Sequence, residues 1–250
     1  MGHAMAAVNP SAAPRNPDPA FAVPARHSRA GAEAARYGVL RRLGPALKHD
    51  MVVNLQAIAM MAEVMNAKLD RGSPDPAEFH ASIGKLNRLA REAVANCLKV
   101  AAWLVPGEDE AIKLSDGVEE CVGLLASNFN FRGFVVNVEC PDTAFQVSRV
   151  VLRNLLIGSL ITLTDAAGEP SRVDVKAEVD TQSAQITLRI RPREDEYDAL
   201  PYEAAYRQLD WADVQALALA EGVDLVRGED QIQLRLPRHL ATAPLQIAPH

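Results

Sequence analysis

From Leu40 onward, apolar residues recur at Leu43, Leu47, Met51, Leu55, Ile58, Ala62, Met65 and Leu69. Steps of three and four place them on one face of a helix, which predicts a single long helix from about Gly31 to Asp70. Gly44-Pro45 falls inside it. Proline donates no amide and crowds the preceding turn, so either a kink or a fresh helix start is expected there. Breakers from Arg71 to Pro76 make a short connection, after which Phe79, Ile83, Leu86, Ala90, Ala93, Cys97, Val100 and Leu104 resume the same stepping. Two antiparallel helices follow. A lone hairpin cannot cover both apolar stripes. Pairing with a second copy into a four-helix bundle would cover them, and docking onto the chain's own C-terminal half is the alternative.

Past Pro106-Gly107 the period changes. Ser115 to Phe129 is amphipathic, Gly133 to Glu139 alternates as a strand does, and Thr143 to Thr164 reads as a largely buried helix with Thr143 and Gln146 as its capping box. Arg172 to Val179 and Ala184 to Ile190 alternate around Asp180-Thr181-Gln182-Ser183, a hairpin signature. Trp211 to Glu221 is helical with Gly222 as its C-terminal cap, and Val223 to Val226 and Gln231 to Leu236 form a last hairpin. The predicted class is α+β: a helical hairpin, then an α/β sandwich in which one mixed sheet is covered on one face by helices. The chain divides into a disordered leader at 1–29, the hairpin at 30–105, the α/β domain at 106–238 and a tail at 239–250.

Composition narrows the function. The 250 residues are 48% hydrophobic, enough for a real core, and carry 26 basic and 32 acidic side chains for a net charge of −6. No dense basic run exists to neutralise phosphates, so proteins rather than nucleic acids are the expected partners. Cys97, Cys121 and Cys140 lie far apart without metal-ligand spacing, which fits a reduced, cytoplasmic protein with buried thiols. The most apolar stretch, Val147 to Leu163, is broken by Arg149, Arg153 and Asn154 and is no membrane span. The leader lacks the apolar core of a secretory signal.

The candidate chemistry lies in Lys48-His49-Asp50, on the polar side of the first helix. A neutral imidazole is a nucleophile near neutral pH, and an adjacent carboxylate can hold the tautomer that exposes the attacking nitrogen. His3, His27, His80, His239 and His250 share none of this context. Lys48 is a candidate for steadying phosphoryl oxygens as a point charge, although an exposed lysine is more often simply solvated.

A histidine-bearing hairpin followed by this α/β order resembles the dimerisation and ATP-binding domains of bacterial sensor histidine kinases, over about Gly31 to Arg238. In that family the phosphoacceptor histidine is followed by Glu or Asp, with apolar residues some six and nine positions later; His49, Asp50, Leu55 and Ile58 match. The nucleotide contacts do not match. Asn154 matches the first asparagine of the family's Asn-Leu-Leu-x-Asn-Ala pattern, but Gly158 stands where the metal-binding asparagine belongs, and glycine has no side-chain oxygen for a hard cation. Arg191 to Asp198 contains no glycine where the adenine-gripping Asp-x-Gly-x-Gly element should lie, and Gln208 to Asp213 replaces the glycine-rich lid.

A chain that keeps the histidine and loses the nucleotide site looks like the ChpT-type histidine phosphotransferases, which combine a dimeric bundle with a degenerate ATPase-like domain. The resemblance implies a homodimer that takes a phosphoryl group onto His49 from a receiver aspartate, with Asp50 orienting the ring and accepting its proton. It implies no cofactor of the chain's own, the magnesium being supplied by the receiver. The implied partners are response-regulator receiver domains and a hybrid histidine kinase. Val53 occupies the position where kinases often carry a water-positioning Thr or Asn, which implies weak phosphatase activity. Asn54 is a further candidate for orienting the site. The rival function is a pseudokinase-like binding protein that sequesters a regulator or kinase without phosphotransfer; a kinase with an unusual nucleotide site is a third.

Overall fold

The computed structural model describes residues 22–72, 75–104, 110–193 and 207–239. The first helix, α1, is longer than its apolar stripe alone suggested, running from Ala22 to Asp70 over 49 residues. It begins inside the segment read as a leader and continues unbroken through Pro45, so no fresh start occurs there. α2 (Pro76–Leu104) returns antiparallel to it. Residues 1–21, 105–109, 194–206 and 240–250, which include most of the expected leader and tail and the acidic run at 194–198, lie outside the described residues.

The α/β part contains β1 (Ala111–Lys113), α3 (Leu114–Phe131), β2 (Val135–Glu139), β3 (Gln146–Ser148), α4 (Arg149–Ala166), β4 (Ser171–Val179), β5 (Ser183–Pro192), α5 (Trp211–Glu221), β6 (Asp224–Arg227) and β7 (Gln231–Pro237). Five strands form one mixed sheet in the order β2-β4-β5-β7-β6, with β2 parallel to β4 and the remaining pairs antiparallel. Side chains alternate across it. Val173, Val175, Ile186, Leu188, Ile232 and Leu234 are buried, whereas Arg172, Lys176 and Gln185 face solvent, as a sheet covered on one side requires. The β4–β5 turn falls where expected. The Asp180 carboxylate accepts the amides of Gln182 and Ser183 at 2.7 Å and the Ser183 hydroxyl at 2.8 Å, and these bonds to its charged form hold it below the usual carboxylate range.

One expectation needs correction. The fourth helix starts at Arg149 rather than Thr143, because Gln146 to Ser148 pair antiparallel with β1 in a two-stranded sheet and Ser148 supplies the cap, its hydroxyl accepting the Val151 amide at 3.2 Å. The Thr143 hydroxyl instead accepts the amide of Phe145. The hairpin and the α/β part also share one core. Ala35, Val39, Leu43 and Leu47 of α1 are buried in the same cluster as Leu155, Leu160 and Leu217, and Val100 and Trp103 near the end of α2 pack against it, so the first half of α1 and the end of α2 lie on the α/β body while the second half of α1 and the start of α2 stand away from it.

Candidate functional site

Leu47 is the last deeply buried residue of the α1 stripe, and two positions on the chain leaves the shelter of the α/β body. His49 sits at that exit, exposed, with Lys48 exposed before it and Asn54 half-buried after it. Asp50 continues the helix backbone; its side chain lies outside the described part of the structure. Val53 is exposed. The structure thus puts Lys48, His49 and Asn54 on consecutive turns of one helix, with the histidine accessible to a visiting group.

Immediately below His49, α1 is fastened by side chains that the sequence did not single out. Arg42, seven residues earlier and so on nearly the same face two turns down, donates two hydrogen bonds to the two oxygens of Asp165 near the end of α4, each 2.8 Å. Arg132, which caps α3, donates to the same carboxylate at 2.9 Å and to the Thr164 carbonyl at 2.9 Å. One signal was available: Asp165 lies in the last turn of α4, where the helix dipole disfavours an acid unless cations attend it. A second fastening lies at the end of α2, where the Arg153 guanidinium stands 5.2 Å from the Trp103 ring and also donates to Glu120 at 2.6 Å.

Of the positions assigned by resemblance to a nucleotide, Gly158 is packed with hydrocarbon. Gly158 is buried, and a Cβ added there would lie 3.3 Å from Leu217 Cδ1 and 3.8 Å from Val39 Cγ2. The segment standing for the lid is the start of α5: Asp210 and Asp213 each accept the other's backbone amide, and Gly222 ends the helix at φ 64°. Leu209, just ahead of it, presses against α1 at Gly38, where a Cβ would come within 2.7 Å of Leu209 Cδ2, so any larger residue there would push the Leu209 side chain aside. Asn154 is buried at one flank of α4, at the edge of a cleft of about 480 Å³ lined by Arg36, Tyr37, Leu40, Trp103 and Arg153. Both arginines are already committed, Arg36 to Glu33 and Glu221 and Arg153 to Glu120. Among the described residues no group of three or more His, Cys, Asp or Glu side chains converges on a metal position, and no helix is long and apolar enough to cross a membrane.

Two predictions arise here. Gly158→Asn restores the family's asparagine but forces a polar side chain between Val39 and Leu217, so it should cost about 1–3 kcal/mol of stability and confer no nucleotide binding; thermal melts with and without ATP and magnesium check both points. The thiols should separate sharply. Cys121 is buried, and desolvation, reinforced by the Glu120 charge, pushes its thiol well above the ordinary range. Iodoacetamide on the native protein should alkylate exposed Cys97 and leave Cys121 untouched until denaturant is added, as peptide mass mapping would show.

No family profile matches this sequence, and no curated protein matches it. Among solved structures the chain is similar to the catalytic domain of the histidine kinase ThkA, at 12% identity and a TM-score of 0.42 over 53% of this chain and 97% of that one. It is similar to a histidine kinase from Burkholderia phymatum STM815, at 17% identity and a TM-score of 0.40 over 80% and 99%. It is also similar to a protein described as a bacterial phosphotransferase, at 17% identity and a TM-score of 0.36 over 79% and 95%. These are likenesses of outline to histidine kinase and phosphotransferase structures and assign no role to any residue.

Proposed function

We propose that this chain is a histidine phosphotransferase of a bacterial two-component phosphorelay. His49 accepts a phosphoryl group from the aspartyl phosphate of a receiver domain and passes it to the aspartate of a response regulator, without using ATP. The observation that carries this reading is the exposure of His49 where α1 emerges from the α/β body. The packing of Val39 and Leu217 over Gly158 supports the part of it that dispenses with nucleotide.

In the forward step a ring nitrogen of neutral His49 attacks phosphorus. The bond between phosphorus and the receiver's carboxyl oxygen breaks, its electron pair leaves on the carboxylate, and an N–P bond forms. Asp50 takes the proton from the ring's other nitrogen, so no charge accumulates on the imidazole. A magnesium ion held by the receiver would supply positive charge to the phosphoryl oxygens, and no metal ligand of this chain enters the step. Transfer onward is the reverse of the same step.

The protein acts as a cytoplasmic homodimer. Leu55 and Leu69 of α1 and Val94 and Leu98 of α2 are exposed on the single chain, and a second hairpin would cover them in a four-helix bundle while the His49 face stays open. A hybrid histidine kinase stands upstream. The test compares two donors: labelled ATP alone should leave the purified protein unlabelled, whereas a receiver domain already phosphorylated on its aspartate should label it within minutes. Labelling by ATP alone, or none by any receiver, would refute the proposal.

A further inference from the structure

We propose that Asp165 is a positioning residue for His49: by clamping Arg42 to the end of α4 it fixes the direction in which the imidazole is presented relative to the α/β body. The inference rests on the reading of His49 as phosphoacceptor. It begins from what an aliphatic stripe can and cannot specify. Ala32, Ala35, Val39, Leu43 and Leu47 bury the first half of α1, but small apolar side chains tolerate rotation and sliding of one helix on another better than a directional contact does. A bidentate guanidinium–carboxylate pair tolerates far less, because both hydrogen bonds are lost together when the fork turns.

The Arg42–Asp165 pair meets that description. Its two bonds are 2.8 Å, the two side chains are each 4% exposed, and Arg132, 9% exposed, closes the third side at 2.9 Å with its guanidinium 4.9 Å from the Phe134 ring. The clamp therefore joins α1 to α3 and α4 at one buried point. His49 lies about 10.5 Å further along the helix on nearly the same face, and a slip of one residue in register would turn it by about 100° and move it by about 1.5 Å. A donor large enough to rest on the α/β body while it meets His49, as a folded receiver domain is, is sensitive to that error. A small donor that touches only the imidazole is not.

The test uses Arg42→Met in the full-length protein, which removes the α1 side of the clamp while leaving Asp165 paired with Arg132, so the α/β body keeps its own ion pair. Transfer from a phosphorylated receiver should slow about ten- to a hundredfold, the scale expected for misplacement of a reacting group by about an ångström, while phosphorylation by phosphoramidate proceeds at the wild-type rate. Equal loss with both donors, or no loss with either, overturns the proposal. Amide exchange across residues 32–49 needs no donor and should accelerate in the variant; unaltered exchange overturns the proposal whatever the transfer assays give. Failure of the underlying reading is seen separately, as wild-type protein that neither donor labels.

Discussion

His49→Gln protein should fold as the wild type does and take up no phosphoryl group from a phosphorylated receiver. The substitution removes the nucleophile from an exposed position outside the buried core. Glutamine retains a polar side chain of similar reach on the helix surface. Loss of an attacking atom is an all-or-none effect in a covalent transfer, so labelling should fall to background while circular dichroism and the melting temperature stay unchanged. The same variant separates the two functional classes open from sequence. A phosphorelay intermediate loses signalling with His49→Gln. A binding protein that sequesters its partner keeps it, because the surrounding surface is intact. Full signalling by a folded His49→Gln protein would favour the sequestration reading.

The second large effect concerns assembly. Val94 and Leu98 lie one turn apart on α2 and are 59% and 65% exposed in the single chain, and Leu55 of α1 is 52% exposed. Such side chains at helical spacing on a hairpin are costly in water and inexpensive once a second hairpin covers them. The double variant Val94→Asp, Leu98→Asp should therefore leave the monomer folded and abolish the dimer. By two-fold symmetry four side chains leave the interface, at about 1 kcal/mol or more each. About 4 kcal/mol corresponds to roughly a thousandfold weaker association before the cost of burying carboxylates is added. Sedimentation at micromolar concentration reads this directly, as a shift from dimer to monomer. A dimer that survives both aspartates would place the contact on another surface.

How much of this was legible in the sequence depends on the kind of signal each part carries. Local chemistry was. Gly222 ends α5 with positive φ, Asp180 organises the β4–β5 turn, and the alternation of β4, β5 and β7 marks which face of the sheet is buried. Short and indirect features were not. β1 and β3 are three residues each, too brief to show a period, and their pairing displaced the start of α4 to Arg149. The first turns of α1, Ala22 to Ala30, were hidden because that alanine-rich, proline-bearing stretch carries no strong apolar period.

The candidate site divides along the same line. Accessibility of His49 followed from its place on the polar side of a long helix. What covers the stripe did not follow: Leu43 and Leu55 read alike, yet the first is buried against the α/β body and the second faces outward. Periodicity says that a face is covered, not by what. Gly158 was legible as the loss of a metal ligand, whereas the side chains that fill its place come from α1 and α5, remote in sequence. The Arg42–Asp165–Arg132 clamp joins three elements and left a single trace, an acid in the last turn of a helix.

The central claim is that one imidazole at the exit of α1 carries the phosphoryl group. Its most direct test is peptide mass mapping of the wild-type protein, quenched at alkaline pH, after mixing with a receiver phosphorylated on its aspartate in the absence of ATP. The phosphoryl group should lie on His49, stable to alkali and lost in acid. Label on any other residue, or a receiver that loses its phosphate to water while His49 stays unmodified, would contradict it.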